Sequence, residues 1–114
     1  MQAVGLDARK EGKEMRKLSM FSEVTKNQFS TLKQYVPVVA KVHGNTHPEF
    51  HEVRKLFDAI KQKTEEAGSN KPELHEEFTK LREITGNYRV PDDVCESYEA
   101  VYSLLAEMDA AYHV

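Results

Sequence analysis

The sequence predicts an all-α fold, an up-and-down antiparallel bundle of about four helices, and three observations predict it. Apolar residues recur at steps of three and four through most of the chain. The joints between the periodic segments are short and rich in Gly, Pro and Asn, which favours antiparallel neighbours. The 114 residues hold 39% apolar and 31% charged side chains with only 5 Gly, 4 Pro and no Trp. That is enough for one small helical core spanning residues 1–114, and too few breakers for a disordered chain.

The first segment runs from about Lys10 to His43, with Met15, Leu18, Phe21, Phe29, Leu32, Val36 and Val39 on one face. Residues 1–14 are expected to form a flexible arm. Pro37 lacks an amide proton and clashes with the carbonyl four residues back, so a kink, a break or a new helix start is expected there. Gly44-Asn45 should end the segment by tolerating positive φ. Thr46 and Glu49 have capping-box spacing, Pro48 suits a first helical turn, and His47 before it is an alternative cap. Phe50, Val53, Phe57 and Ile60 then form a buried stripe. Gly68 to Pro72 read as a turn, and Pro72-Glu73 as the start of a third helix carrying Leu74, Phe78, Leu81 and Ile84, which stops at Gly86-Asn87. Pro91-Asp92-Asp93 places two acids where a helix dipole favours them. The last helix has the cleanest period: Val94, Tyr98, Val101, Leu105, Met108 and Tyr112 follow at 4, 3, 4, 3 and 4.

Charge is uneven, net +4 over residues 1–43 and net −7 over residues 44–114. The one basic cluster, Arg9 to Lys17, is diluted by Glu11 and Glu14 and reads as a solvated helix or arm, so neither nucleic acid nor membrane is an expected partner. The single cysteine cannot form an internal disulfide, and the longest apolar run, Val36 to Ala40, is too short for a signal peptide or a span. The expected location is the cytoplasm.

Two stretches carry a resemblance. The string Val39-Ala40-Lys41-Val42-His43-Gly44-Asn45-Thr46-His47-Pro48-Glu49-Phe50 resembles a helix junction of the iron–sulfur cluster repair di-iron proteins, a hemerythrin-like family associated with nitrosative and oxidative stress. Leu81-Arg82-Glu83-Ile84-Thr85, then Tyr88, and Val94-Cys95-Glu96-Ser97-Tyr98 through Val101-Tyr102, is similar to that family's stretch leading into its last helix. The matches come in the family's order and cover roughly residues 30–114. The resemblance implies a hemerythrin-like bundle, non-haem di-iron as cofactor, and proteins with damaged iron–sulfur clusters as partners.

The family's ligands carry over poorly. Hemerythrin-like sites resemble one another in using histidines from several helices with bridging carboxylates, commonly as His-x-x-x-Glu, because residues four apart share a helical face. Where the family has its first histidine this chain reads Met20-Phe21-Ser22-Glu23-Val24. His51 is followed four residues on by Lys55, Thr64 stands in another histidine slot, and the last His-x-x-x-Glu pair would fall beyond Tyr112-His113-Val114. A shortened piece and a diverged member both fit these departures, and both predict no intact family-type di-iron centre.

His43, His47 and His51 are spaced at four. Read as ligands, His47, His51 and His75, with Glu52 nearby, form a weak site for Zn²⁺, Ni²⁺ or Fe²⁺. The preferred reading is capping and surface histidines, because His-x-x-x-His without a third placed ligand specifies little. His75 is expected to be partly exposed with a raised tendency to stay protonated, Cys95 to be a packed and unreactive thiol, and Tyr98, Tyr102 and Tyr112 to be core residues whose hydroxyls reach the surface. No phosphate loop, nucleophile elbow or paired-Cys motif is present, so an independent enzyme is not expected. Three functions follow: a hemerythrin-like protein related to iron–sulfur cluster repair; a metal-free helical module that self-associates as a homo-oligomer or binds a partner through an exposed apolar seam; and a mononuclear metal binder.

Overall fold

A computed structural model describes residues 2–68 and 70–113, with side chains described over 21–68 and 70–113. Four helices follow one another, α1 Gln2–His43, α2 Glu49–Ala67, α3 His75–Thr85 and α4 Glu96–Tyr112, and no strand occurs among the described residues. The helical backbone of α1 begins earlier than the Lys10 expected. The arm proposed over residues 1–14 and the cluster Arg9 to Lys17 lie outside the described side chains.

Contacts along α4 fix the directions. Its last turn meets the lower part of α1, with the Phe21 and Tyr112 rings 5.2 Å apart, and its first turn meets the end of α1, with His43 and Tyr98 at 5.6 Å. Phe29 packs edge-on against Phe57 of α2, and α3 starts back beside Tyr112. The chain therefore runs up, down, up and down. The expected stripes supply the core: Leu32, Phe50, Val53, Ile60, Leu81 and Leu105 are among its fully buried members. Burying each of these aliphatic or aromatic side chains contributes about 1.5–3 kcal/mol.

The helix boundaries show where tertiary contacts override local signals. α1 runs through Pro37 without ending, because Val36, Val39 and Ala40 are buried on the opposite face while Pro37 itself faces solvent. The capping box does not form: the Thr46 hydroxyl donates back to the His43 carbonyl, Glu49 turns to His47, and Pro48 sits at the N-cap without a side-chain bond. Gly44 lacks the positive φ expected of it. Its role is close approach, since a Cβ there would collide with the Ala40 carbonyl and lie 2.5 Å from the His51 ring. The third helix begins at His75, not at Pro72. The Tyr112 hydroxyl donates to the Pro72 carbonyl at 2.8 Å and accepts from the Leu74 amide at 2.9 Å, which holds residues 72–74 out of the helix.

Gly86 ends α3 in the left-handed region, as expected, but Asn87 and Tyr88 follow with φ of 63° each. A left-handed tyrosine costs about 1–2 kcal/mol. It is held by both ends: its amide donates to Thr85 Oγ1 at 2.7 Å, and its hydroxyl donates to Asp109 Oδ2 at 2.7 Å. Asp109 lies on the buried side of α4, only 5% exposed, and receives a two-pronged contact from Arg82 of α3 at 2.8 and 2.6 Å. Burial alone would raise the Asp109 pKa, but the Arg82 and Tyr88 hydrogen bonds hold it below the ordinary carboxylate value. Replacing Asp109 by Ala leaves the guanidinium without its carboxylate and the tyrosine hydroxyl without its acceptor, and frees the left-handed turn. Urea unfolding of Asp109→Ala is expected to show a loss of about 3 kcal/mol, the lower end of the range for breaking a buried ion pair because Arg82 is partly exposed.

Candidate functional site

The end of the bundle where α1 stops, α2 starts and α4 starts gathers the chain's chemistry. α4 begins later than Pro91-Asp92-Asp93 suggested. Cys95 is its N-cap, with φ −83° and ψ 172°, and Glu96 and Glu99 are the acids in its first turn. The connector before it is thereby free to fold over the α1–α2 joint. Asp93 Oδ1 accepts from His47 Nε2 at 2.9 Å while Glu49 Oε2 takes Nδ1 at 3.1 Å, so two carboxylates clamp one imidazole. His43 Nε2 and Cys95 Sγ are in contact at 3.2 Å. Both imidazoles rest edge-on against the ring of Tyr98, each at 5.6 Å between centroids. Tyr98 is fully buried and its hydroxyl lies 3.0 Å from that of Tyr102, so these two hydroxyls pair inside the bundle where surface contact was expected.

The electrostatics follow from this geometry. Partial burial would lower the His47 pKa, but the hydrogen bonds to Glu49 and Asp93 and their charges outweigh it and raise it above 6.5. Burial pushes the hydroxyls of both Tyr98 and Tyr102 up. The clamp thus favours the protonated form of His47. Cys95 is exposed, which corrects the expectation of a packed thiol, and its sulfur meets solvent at a helix N-terminus beside an imidazole.

The three histidines read as ligands are not gathered. His47 and His51 share this end: the His51 ring is exposed and fitted against Gly44, and Glu52 is engaged with Lys55 at 3.5 Å. His75 is at the opposite end, exposed, with its ring 5.7 Å from His113. Tyr98 and His113 mark the two ends, and 15 residues of helical rise separate them by about 22 Å. No group of three or more His, Cys, Asp or Glu in metal-holding geometry occurs among the described residues.

A di-iron group implied by the family resemblance does not fit the interior. The buried polar side chains among the described residues are Thr25, Glu77, Thr85 and Asp109. Asp109 is taken by Arg82, and one Glu77 oxygen by Lys63 at 2.5 Å. What is left without a hydrogen-bond partner is Glu77 Oε1 and Thr25 Oγ1. One carboxylate oxygen and one hydroxyl, with no buried imidazole, do not make the histidine and bridging-carboxylate set that two irons require.

Sequence spacing gave no sign of Asp93 as the partner of His47, 46 residues away, or of Cys95 beside His43, 52 residues away. The signal available was the resemblance itself, because the stretches at residues 39–50 and 94–102 that carry it converge at this one end.

The structure defines an all-α four-helix bundle with a cluster of His43, His47, Asp93 and Cys95 at one end. In comparison with known proteins, the chain is 23% identical over 126 residues to the iron-sulfur cluster repair protein ScdA of Staphylococcus haemolyticus (strain JCSC1435), a match taking in 83% of this chain and 57% of that protein. The chain therefore spans little more than half the length of this relative. The matched stretch is longer than the whole chain, so the relative carries segments with no counterpart here. No family model and no solved structure matches. The relationship is distant. No helix among the described residues is long and apolar enough to cross a membrane.

Two outcomes test the site. A histidine with a raised folded-state pKa contributes stability fully below about pH 6.5, and that stability is lost as pH rises through the folded value. Urea melts at a series of pH values are expected to show the gap between wild type and His47→Gln widest below pH 6.5 and closing above it. Titration of the native protein with a disulfide reagent is expected to release one thiol equivalent per chain without denaturant, since Cys95 is exposed and is the sole cysteine.

Proposed function

We propose that this protein acts in iron–sulfur cluster repair, in the cytoplasm and under nitrosative or oxidative stress, and that it does so without a di-iron centre of its own. The observation that carries the reading is the match to the cluster repair protein ScdA over 83% of the chain. The bundle end supports it chemically. Thiolate and imidazole are the protein ligands that iron takes in iron–sulfur proteins, and here an exposed Cys95 thiol and the His43 imidazole stand side by side. Damaged-cluster proteins are the partners this reading implies, with their iron as cargo.

The test is a strain lacking the gene, challenged with nitric oxide, in which recovery of aconitase activity is followed with new protein synthesis blocked. Recovery is expected to slow in the deletion strain, to be restored by the wild-type chain, and to be restored only partly by Cys95→Ser. Equal recovery with and without the gene overturns the proposal. Anaerobic incubation of the purified protein with Fe²⁺ is expected to leave fewer than two irons per chain.

A further inference from the structure

Cys95 does not stand alone at the bundle end. It is exposed at the N-cap of α4, and its Sγ lies 3.2 Å from Nε2 of the half-buried His43 at the end of α1. A nucleophile is thus within reach of a base, the two brought together from different helices. Each is held by a further group. The His43 imidazole rests edge-on against the buried Tyr98 ring, 5.6 Å between centroids. Asp93, two residues before Cys95, meets His47 at 2.9 Å, so the connector is tied down close to the sulfur. The helix ends suit a reaction between them. Negative charge developing on sulfur meets the positive end of the α4 dipole, and positive charge developing on the imidazole meets the negative end of α1.

The surroundings set what can approach. Asp92, Glu96 and Glu99 are exposed near the thiol, and Glu99, four residues on, shares its helical face. No Lys or Arg occurs from Val90 to Val114. Across the joint, the basic residues in the last turn of α1 are Lys41 and His43, and His47 is already clamped by two carboxylates. A negatively charged reagent is repelled from such a surface and a positively charged one is drawn in. The chain also holds no second thiol to displace what this one captures, so a mixed disulfide formed here persists until an outside thiol removes it.

We propose that Cys95 and His43 form a thiol-exchange site that takes small cationic disulfides and is reversibly capped by them. Cys95 gives its proton to His43 Nε2 as its sulfur attacks one sulfur of the disulfide. The new S–S bond forms, the old one breaks, and the departing thiolate leaves as a thiol with the proton that His43 held. The Cys95 sulfur is oxidised by the bond it gains and the released half is reduced, so no other oxidant enters. The inference does not depend on the cluster-repair reading, since the exchange needs no iron.

Exchange kinetics on the full chain at about pH 7, followed by intact mass, test it. The probes are dicationic cystamine, neutral hydroxyethyl disulfide and dianionic dithiodipropionate, each rate being divided by that of free mercaptoethanol. With the neutral probe, native Cys95 is expected to react at least about tenfold faster than Cys95 of His43→Gln, and at least about tenfold faster than the same thiol in the urea-unfolded wild type. The urea comparison gives the reading should His43→Gln lose its helical circular dichroism. Cystamine is expected to exceed dithiodipropionate by at least about tenfold at low salt, with the ratio shrinking in about 1 M salt. Glu96→Gln/Glu99→Gln is expected to cut that ratio to about threefold or less. A native thiol no faster than the unfolded one, a folded His43→Gln as fast as wild type, or equal rates for the two charged probes at low salt overturns the proposal.

Discussion

The bundle depends on one buried negative charge. Asp109 is removed from water inside α4, and a carboxylate there is tolerable because Arg82 meets it with two nitrogens, Tyr88 adds a hydroxyl and His113 Nδ1 lies 2.8 Å away. The three partners come from α3, from the turn after it and from α4, so satisfying the charge fixes all three relative to one another. It also accounts for the left-handed Tyr88. The strain of that backbone is offset by the hydrogen bonds that the conformation makes available at both ends of the residue. The connector that leaves this turn is what delivers Asp93 and Cys95 to the far side of the bundle, over His47 and His43.

Helix identity and the buried faces were legible in the sequence because both follow from periodicity, and periodicity is a property of neighbouring residues. The stripe from Tyr98 to Tyr112 and the stripe from Phe50 to Ile60 are buried as their spacing implies. Boundaries were less legible, for a physical reason. Pro72 reads as a helix start by every local signal, yet the hydroxyl of Tyr112, forty residues on, takes the backbone there. Asp92 and Asp93 read as dipole-facing acids, yet His47 offers Asp93 an ion pair. In each case a long-range partner outweighed a local preference worth about 1 kcal/mol or less.

The candidate site was legible only through resemblance. Spacing singled out His47 and His51 but supplied none of their surroundings, and it joined to them His75, which the antiparallel topology carries to the other end. The stretches around His43 and around Cys95 are far apart in the chain, and no rule of local pattern connects them. Their convergence comes from α1 and α4 lying side by side in opposite directions.

The joint between α1 and α2 has a consequence for that chemistry. Gly44 leaves empty the volume that any other residue would fill with its first side-chain carbon, and the Cε1–Nε2 edge of His51 occupies it. Although this imidazole is open to solvent, one of its edges is docked on main chain. The smallest side chain at the joint thus sets how closely the first turn of α2 can lie against the end of α1.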